Sequence, residues 1–437
     1  MNIIACNNIR WGRRRFLAGA AVAAVPMLLP RWARGQAAAT AQMEIAAIGV
    51  GRMGHSNLKL ILQEGLKHGA RVVAVCDYDS KRAESAKKMV DDFYAEKTPD
   101  QKGNCATYGD YREAIARPDL DGVLISTPDH QHIGPALLAA KAGKHIYLEK
   151  PLTYTHAEGQ QLVKAVRDHK VVLQTGSMQR SSKRFREACE LALNGRLGKV
   201  HTIIAQLPPD RGTGRTEKMP VPPNLNFDGW LGPRPLAEYT EDRVHPQNGF
   251  GRPGWLQIED YCLGMVTGWG AHMFDIAQWA NGSDDSGLVE LSAKGEFPDR
   301  GLFNVHTNFT MEGTFANGVR LLGKTGDAGV WIEGEKGKIW VSRELMKTEP
   351  REIAREKIGE GEKRLPVSQS HMGDFLASIR EGRDPICPVE VGHRSNTICI
   401  QTHIAMKLGR KLKWDPVAET FPGDAEANAM LDYKHRV

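Results

Sequence analysis

No two of the seven cysteines in this 437-residue chain stand in a C-x-x-C pair, and none shares a zinc-type spacing with histidine. A cysteine-held metal module is therefore excluded. No long repeat is visible, so a solenoid or propeller is excluded too. The one strongly apolar run near the start, Phe16 to Leu29, is too short to cross a bilayer. A basic excess is also lacking outside the first forty residues. The chain carries 58 Lys and Arg against 52 Asp and Glu. Six of those arginines (10, 13, 14, 15, 31 and 34) fall in an opening segment without any acid, and removing them leaves 52 against 52. The formal charge of +6 thus gives no support to nucleic-acid binding.

That opening segment reads as an export signal over residues 1–39. Twin arginines precede Phe16 and Leu17, a short apolar run follows, and small residues offer cleavage after Gly35 or Ala39. The expected route is the Tat machinery and the expected destination the periplasm or the outside, with no stable membrane insertion after cleavage. Cys6 leaves with the signal. Cys76, Cys105, Cys189, Cys262, Cys387 and Cys399 are scattered and read mostly as small buried apolar residues. The rest of the chain has the hydrophobic content (41%) and charged content (25%) of a soluble globular protein, and its length suggests about two domains.

The first domain is expected over residues 43–168. "MEIAAIGVGRMGHSNLKLIL" reads as a strand, a glycine turn and an amphipathic helix. Gly49 permits the tight turn, Gly51 lets the backbone approach a pyrophosphate, and Gly54 lets helix and strand pack closely. Arg52 and Met53 fall inside the same turn. Asp77 ends the next strand about twenty residues on, where a carboxylate meets the ribose hydroxyls of a dinucleotide. Its charge favours NAD over NADP, although Lys81 and Arg82 nearby keep NADP possible. "DGVLIST" and "KHIYLEKP" are further strands alternating with helices, the pattern of a parallel Rossmann sheet. Ligands in such sheets sit at the carboxyl ends of the strands. Thr127, Pro128, His130, His132, Glu149 and Lys150 are placed there.

Residues 169–437 change character. A strand is expected at 170–176 and a helix at 182–195, followed by a period-two strand at 199–206. A Pro/Gly-rich stretch from Leu207 to Gly254 reads as an ordered surface excursion. "GWGAHMFDIAQWANG" is helical, and short glycine-punctuated strands run from Gly287 to Ser342. The fold class is thus α/β plus α+β, a Rossmann dinucleotide-binding domain and an α+β domain with a mainly antiparallel open sheet. The C-terminal segment is expected to pack back on the first domain.

The motifs GVGRMG, STPDHQH, LEKP, QTGSMQRS and GWGAHMFDIAQW together resemble the Gfo/Idh/MocA family of oxidoreductases. The resemblance covers Met43 to about Leu431. It implies an NAD(P)-dependent enzyme acting on a secondary hydroxyl of a sugar, glycoside or polyol, and the expected export, to a place without a free nicotinamide pool, adds a tightly bound, recycled cofactor. It implies no metal, and it implies a homo-oligomer. Lys150 would touch the reacting hydroxyl beside the nicotinamide, taking its proton as hydride leaves. His272 is the second catalytic candidate. Many relatives carry an acid four residues before it, where this chain has Gly268, which makes Lys150 the better proton carrier and leaves Asp260 or Asp275 to orient His272. Gln179 would line the cofactor, and Arg180, Trp269 and Asp275 the substrate. Trp331 stands equally as a sugar platform or as core. An alternative activity is a glycoside hydrolase or lyase working through transient oxidation and elimination, with His272 as the extra base.

Overall fold

The computed structural model of the chain describes residues 42–99, 104–433 and 436. The expected export signal lies outside the described residues, with both of its cleavage points. Among the described residues no helix is long and apolar enough to cross a membrane.

Six strands build the first sheet: β1 (Met43–Ile48), β2 (Ala70–Cys76), β3 (Ala106–Tyr108), β4 (Gly122–Ile125), β5 (His145–Leu148) and β6 (Leu173–Thr175). All pair in parallel, in the order β3-β2-β1-β4-β5-β6. Helices cover both faces, so β4 and β5 are buried from end to end and read as unbroken apolar runs. The strand order reverses between β1 and β4, and a crevice for ligands opens at that switch point.

β6 moves the domain boundary. The first domain was expected to end at residue 168, yet Leu173 pairs with Ile146 and Thr175 with Leu148, extending the parallel sheet to Thr175. The physical reason lies in the preceding helix, His156–Asp168, which begins in a complete capping box of Thr155 and Glu158. That helix is the crossover of one more βαβ unit, and Val171 and Leu173 are buried in the same core as Ile146 and Leu148.

The second sheet holds β7 (Val200–Leu207), β8 (Leu288–Glu296), β9 (Asn308–Phe315), β10 (Arg320–Thr325), β11 (Gly329–Gly334), β12 (Gly337–Val341), β13 (Met346–Glu349) and β14 (Leu412–Lys413). Their order is β13-β12-β11-β7-β10-β9-β8-β14. Every pairing is antiparallel except β7 with β10, so the sheet is mixed, as a mainly antiparallel one with a single inserted strand. One face packs Ile203, Ala205, Val330 and Ile332 against Phe274 and Ile276 of the helix Gly270–Ala280. The period of two turns Trp331, between Val330 and Ile332, to the other face. There it lies against Trp340 (ring centroids 5.4 Å apart) with the ammonium groups of Lys338 and Lys347 4.9 and 5.0 Å from its ring. Trp331 is therefore neither core nor sugar platform in the crevice.

The C-terminal part returns to the first domain. Met372, Phe375 and Leu376 of the helix His371–Glu381 share a core with Tyr147 of β5 and Leu62 of the helix Arg52–His68. The helix Val389–Leu408 places Val389 in the first-sheet core and Ile398, Cys399 and Ile404 in the second. The six cysteines among the described residues are buried and unpaired.

Candidate active site

The glycine turn leaves β1 at Ile48. Gly49 has φ 76°, and a Cβ there would lie 2.6 Å from the Thr127 nitrogen. A Cβ on Gly54 would run into the Gly49 carbonyl, so helix and turn can meet only at a glycine. The helix Arg52–His68 starts from Gly51 with no side-chain cap, which leaves its first N–H groups available to an anion. Gly49, Gly51, Arg52 and Met53 all border one cleft.

Asp77 reaches the same cleft from the end of β2. Its carboxylate accepts hydrogen bonds from the backbone N–H of Val50 and of Asp79, each at 2.9 Å. Burial pushes its pKa up, against the pull of those N–H groups, Arg82 and His245. The following helix, Ser80–Lys97, is capped by Asp79, which accepts from the Lys81 N–H at 3.0 Å. Asp77 is thereby left to brace the turn with lone pairs to spare. Arg82, nearly buried, lies beside both carboxylates and 5.4 Å over the Phe250 ring. An uncapped helix end, a turn without side chains and a carboxylate at the second strand end fit a dinucleotide.

The ends of β4 and β5 supply the rest of the first-domain wall. Thr127 donates its hydroxyl hydrogen to the Gln131 carbonyl (3.1 Å), and Pro128 lines the cleft beside it. His132 has its two ring nitrogens 2.7 Å from the Pro151 carbonyl and 3.0 Å from that of Thr127, tying the two strand ends together. Burial outweighs both carbonyls and brings its pKa down to about 4. His130, by contrast, does not border the cleft. It is fully buried, faces the Trp230 carbonyl at 3.0 Å and packs on the rings of Trp230 and Tyr261. A cofactor contact was expected of it; instead it anchors the second domain onto the end of β4.

Glu149 is buried, and its Oε1 accepts from Asn57 Nδ2 at 2.8 Å. Lys150 donates from Nζ to the carbonyl of Gly268 at 2.8 Å. Gly268, which has no side chain to meet the lysine, receives it through its backbone. Asp129 completes the group: it borders the cleft, is 5% exposed, and its Oδ2 has no partner among the described residues. Burial pushes its pKa up to about 7, opposed mainly by the charge of Lys150.

Across the cleft stand Gly268 and Trp269. His272, 6% exposed, lies next to Trp269 (ring centroids 6.0 Å apart), and its Nδ1 is buried without a partner. Burial, then the charges of Lys150 and Arg343, push its pKa well down, so the ring is neutral. Gln179 is buried and does not border the cleft. In the amide orientation that satisfies both ends, it donates to the His272 carbonyl (3.3 Å) and accepts from Arg343 Nε (3.2 Å). It buttresses the His272 backbone, where a cofactor contact was expected.

Arg180 and Asp275 depart furthest from expectation. Arg180 donates to Asp275 from Nε and Nη2 at 2.8–3.0 Å and to Asp284 from Nη1 and Nη2 at 2.7–2.8 Å. Asp275 also accepts from the Ser395 hydroxyl at 2.7 Å. The pair is buried and neither member borders the cleft, because each charge is the other's partner. Asp275 is thus not available to orient His272.

Sequence reasoning missed Arg343, which reaches Trp269 (4.6 Å to the ring) from the loop between β12 and β13. No local pattern marks it. It also missed the wall built by the 207–254 excursion and its continuation. Trp230, His245, Arg252 and Trp255 border the cleft, held by a small core around Leu231, Tyr239 and Val244. The clustered aromatics of "NFDGW" and "GRPGW" were the available signal.

Fold and turn together define an NAD-binding Rossmann protein. Residues 43–177 match the NAD-binding Rossmann fold of an oxidoreductase family, and residues 210–437 match that family's C-terminal alpha/beta domain. The chain belongs to the Gfo/Idh/MocA oxidoreductase family. Over 188 residues it is 29% identical to myo-inositol 2-dehydrogenase of Thermotoga maritima, a stretch covering 42% of this chain and 48% of that enzyme. Over 137 residues it is 33% identical to D-xylose 1-dehydrogenase (NADP(+)) of Hypocrea jecorina, covering 31% of this chain and 33% of that one. The match thus spans about half the length of these relatives or less. Among solved structures, the WlbA dehydrogenase of Bordetella pertussis, in complex with NADH and UDP-GlcNAcA, is similar over 86% of this chain and 99% of its own. The TM-score is 0.62 at 15% identity, a likeness of fold alone.

Proposed function

We propose that the protein oxidises and reduces a secondary hydroxyl of a sugar, glycoside or polyol with NAD(P). The observation that carries this reading is Lys150, whose Nζ stands in the cleft that the glycine turn borders from its other side. Bound NAD(P) would supply the hydride acceptor. The chain's own part is to hold the hydroxyl and move its proton. A hydroxyl that displaces the Gly268 carbonyl from Lys150 Nζ gains a base within hydrogen-bond reach. Asp129 and Glu149 surround that amine with carboxyl groups, and Trp269 offers an apolar face to the C–H side of a pyranose ring. Arg82, beside Asp77, supports use of NADP as well as NAD. The test is a panel of sugars, glycosides and polyols added to NAD-loaded protein, with cofactor reduction as the readout. Reduction by at least one member is expected, and none by any would overturn the reading.

A second reading, elimination from a transiently oxidised glycoside, draws support from His272. It stands behind Trp269 rather than on the cleft lining, and its neutral ring keeps an unpartnered Nδ1 in the unprotonated form that a base requires. Its signature is release of aglycone with no net change in NAD(H).

The twin-arginine opening supports export through the Tat machinery and work in the periplasm or outside, with the cofactor carried inside the folded chain and recycled there. Replacing Arg13 and Arg14 by lysine and fractionating the cells tests this, and undiminished export would refute it. The outer face of the second sheet, with Trp331 and Trp340, supports association with a second copy. A monomer mass by light scattering would refute that.

A further inference from the structure

Three residues outside the cleft come together without an assigned purpose. His156 opens the helix His156–Asp168, His393 lies on the helix Val389–Leu408, and Glu419 lies in the C-terminal segment closed by the pairing of Asp415 with Thr420. Their ligand-type atoms all lie within 4.8 Å of one another. Glu419 Oε2 is 3.2 Å from His393 Nε2 and 3.6 Å from His156 Nε2. Metal–ligand bonds of about 2.0–2.2 Å around zinc place neighbouring ligand atoms about 3.3 Å apart. The two spacings from Glu419 are close to that value, and the widest spacing in the group, up to 4.8 Å, requires the imidazoles to close on the ion.

His156 supplies an independent observation. It is 1% exposed, and its Nε2 is buried with no hydrogen-bond partner among the described residues. The distance to Glu419 is too long for a hydrogen bond. A buried nitrogen left without a partner is costly, and native structures rarely leave one unexplained.

We propose that His156, His393 and Glu419 bind a divalent cation of the zinc class, with a fourth position open to water. Two imidazoles and one carboxylate suit that class. The surroundings match an outer shell. Arg394, whose Nη1 donates to the Pro416 carbonyl, forms an ion pair with the other carboxylate oxygen, Oε1, at 2.7 Å and leaves Oε2 facing the imidazoles. Gln160 donates to Oε2 at 2.8 Å, and His393 Nε2 hydrogen-bonds the same oxygen at 3.2 Å, a contact that a bound ion would replace. The Trp414 ring shields His156 (centroids 5.3 Å apart). None of the three ligands borders the NAD cleft, so the ion acts as a tie. It joins the last crossover of the Rossmann sheet, a helix shared by both cores, and the C-terminal segment.

The test is titration of chelator-stripped, full-length protein with Co2+. Uptake of a single equivalent with visible ligand-field bands is expected, and both should be lost in His156→Gln and His393→Gln. NAD retention by the variants reports that they are folded. Zn2+ should raise the melting temperature of the parent and not that of Glu419→Gln. Failure of the parent to take up Co2+ saturably would overturn the proposal, as would equal uptake by the variants. Loss or presence of oxidoreductase activity bears on neither outcome.

Discussion

Lys150 shares its corner of the cleft with a carboxyl group that burial keeps protonated to an unusually high pH. Asp129 has a folded pKa of about 7 against an ordinary value of 3.8. A carboxyl whose pKa rises on folding binds its proton more tightly in the native state. Stability is therefore lost as pH climbs from about 4 to about 7 and is level above that. Asp129→Asn should accordingly melt higher than the cofactor-free parent, by a margin that grows across that window and then stays constant. A margin independent of pH would show that Asp129 titrates normally. Arg180 gives a prediction of the opposite kind. Arg180→Met would leave Asp275 buried without its counter-charge, and breaking such a pair costs about 3–5 kcal/mol. Urea unfolding should report that loss, while the KM for any sugar it turns over should hardly move. A large KM change at unaltered stability would return Arg180 to the substrate. Sequence spacing made the places of Asp77 and Lys150 legible because both stand at strand ends that border the cleft. Arg180 and Asp275 were misread because a partner 95 residues away leaves no local trace.

The elements most readable in sequence were those with a period and a punctuation mark. β1, its glycine turn and the helix Arg52–His68 follow from an apolar run, a glycine spacing and amphipathic order. Gly54→Ala tests that unit. Its methyl group would meet the Gly49 carbonyl, pushing helix from strand at the point where N–H groups face the pyrophosphate. NAD affinity should fall by about tenfold or more, measured by calorimetry on folded protein, and an unchanged affinity would contradict the assigned turn. Less readable were β6 and the excursion after β7. β6 is too short to declare its sheet, and only its pairing with β5 does so. The excursion has polar, glycine-rich composition, yet its scattered aromatics gather into a small core that walls the cleft. Composition described its surface, and tertiary packing decided its place.

At the scale of the whole molecule, the described chain is knitted across its two sheets. The helix His371–Glu381 lies far along the sequence from the first sheet but buries Phe375 against Tyr147, with ring centroids 5.9 Å apart. Phe375→Ala should cost about 3–5 kcal/mol and lower NAD retention, although the residue belongs to the second half of the chain. A variant with full stability would show that the C-terminal return is incidental. The general architecture was legible because alternating strand and helix signals specify a parallel sheet, whereas the second sheet's order, with β7 between β10 and β11, is set by packing that no local pattern encodes.

On the proposed function, Lys150 carries the hydroxyl proton in a cleft whose other side holds the dinucleotide. The direct measurement is the rate of NAD reduction at saturating sugar in Lys150→Ala, with bound cofactor quantified in the same sample. A positioned acid/base contributes about a hundredfold or more, so kcat should fall by that factor while cofactor occupancy stays near that of the parent. Lys150→Arg should not restore the rate, because arginine keeps its proton. Equal rates for Lys150→Ala and the parent would contradict the account and leave Lys150 as the polar end of a buried strand.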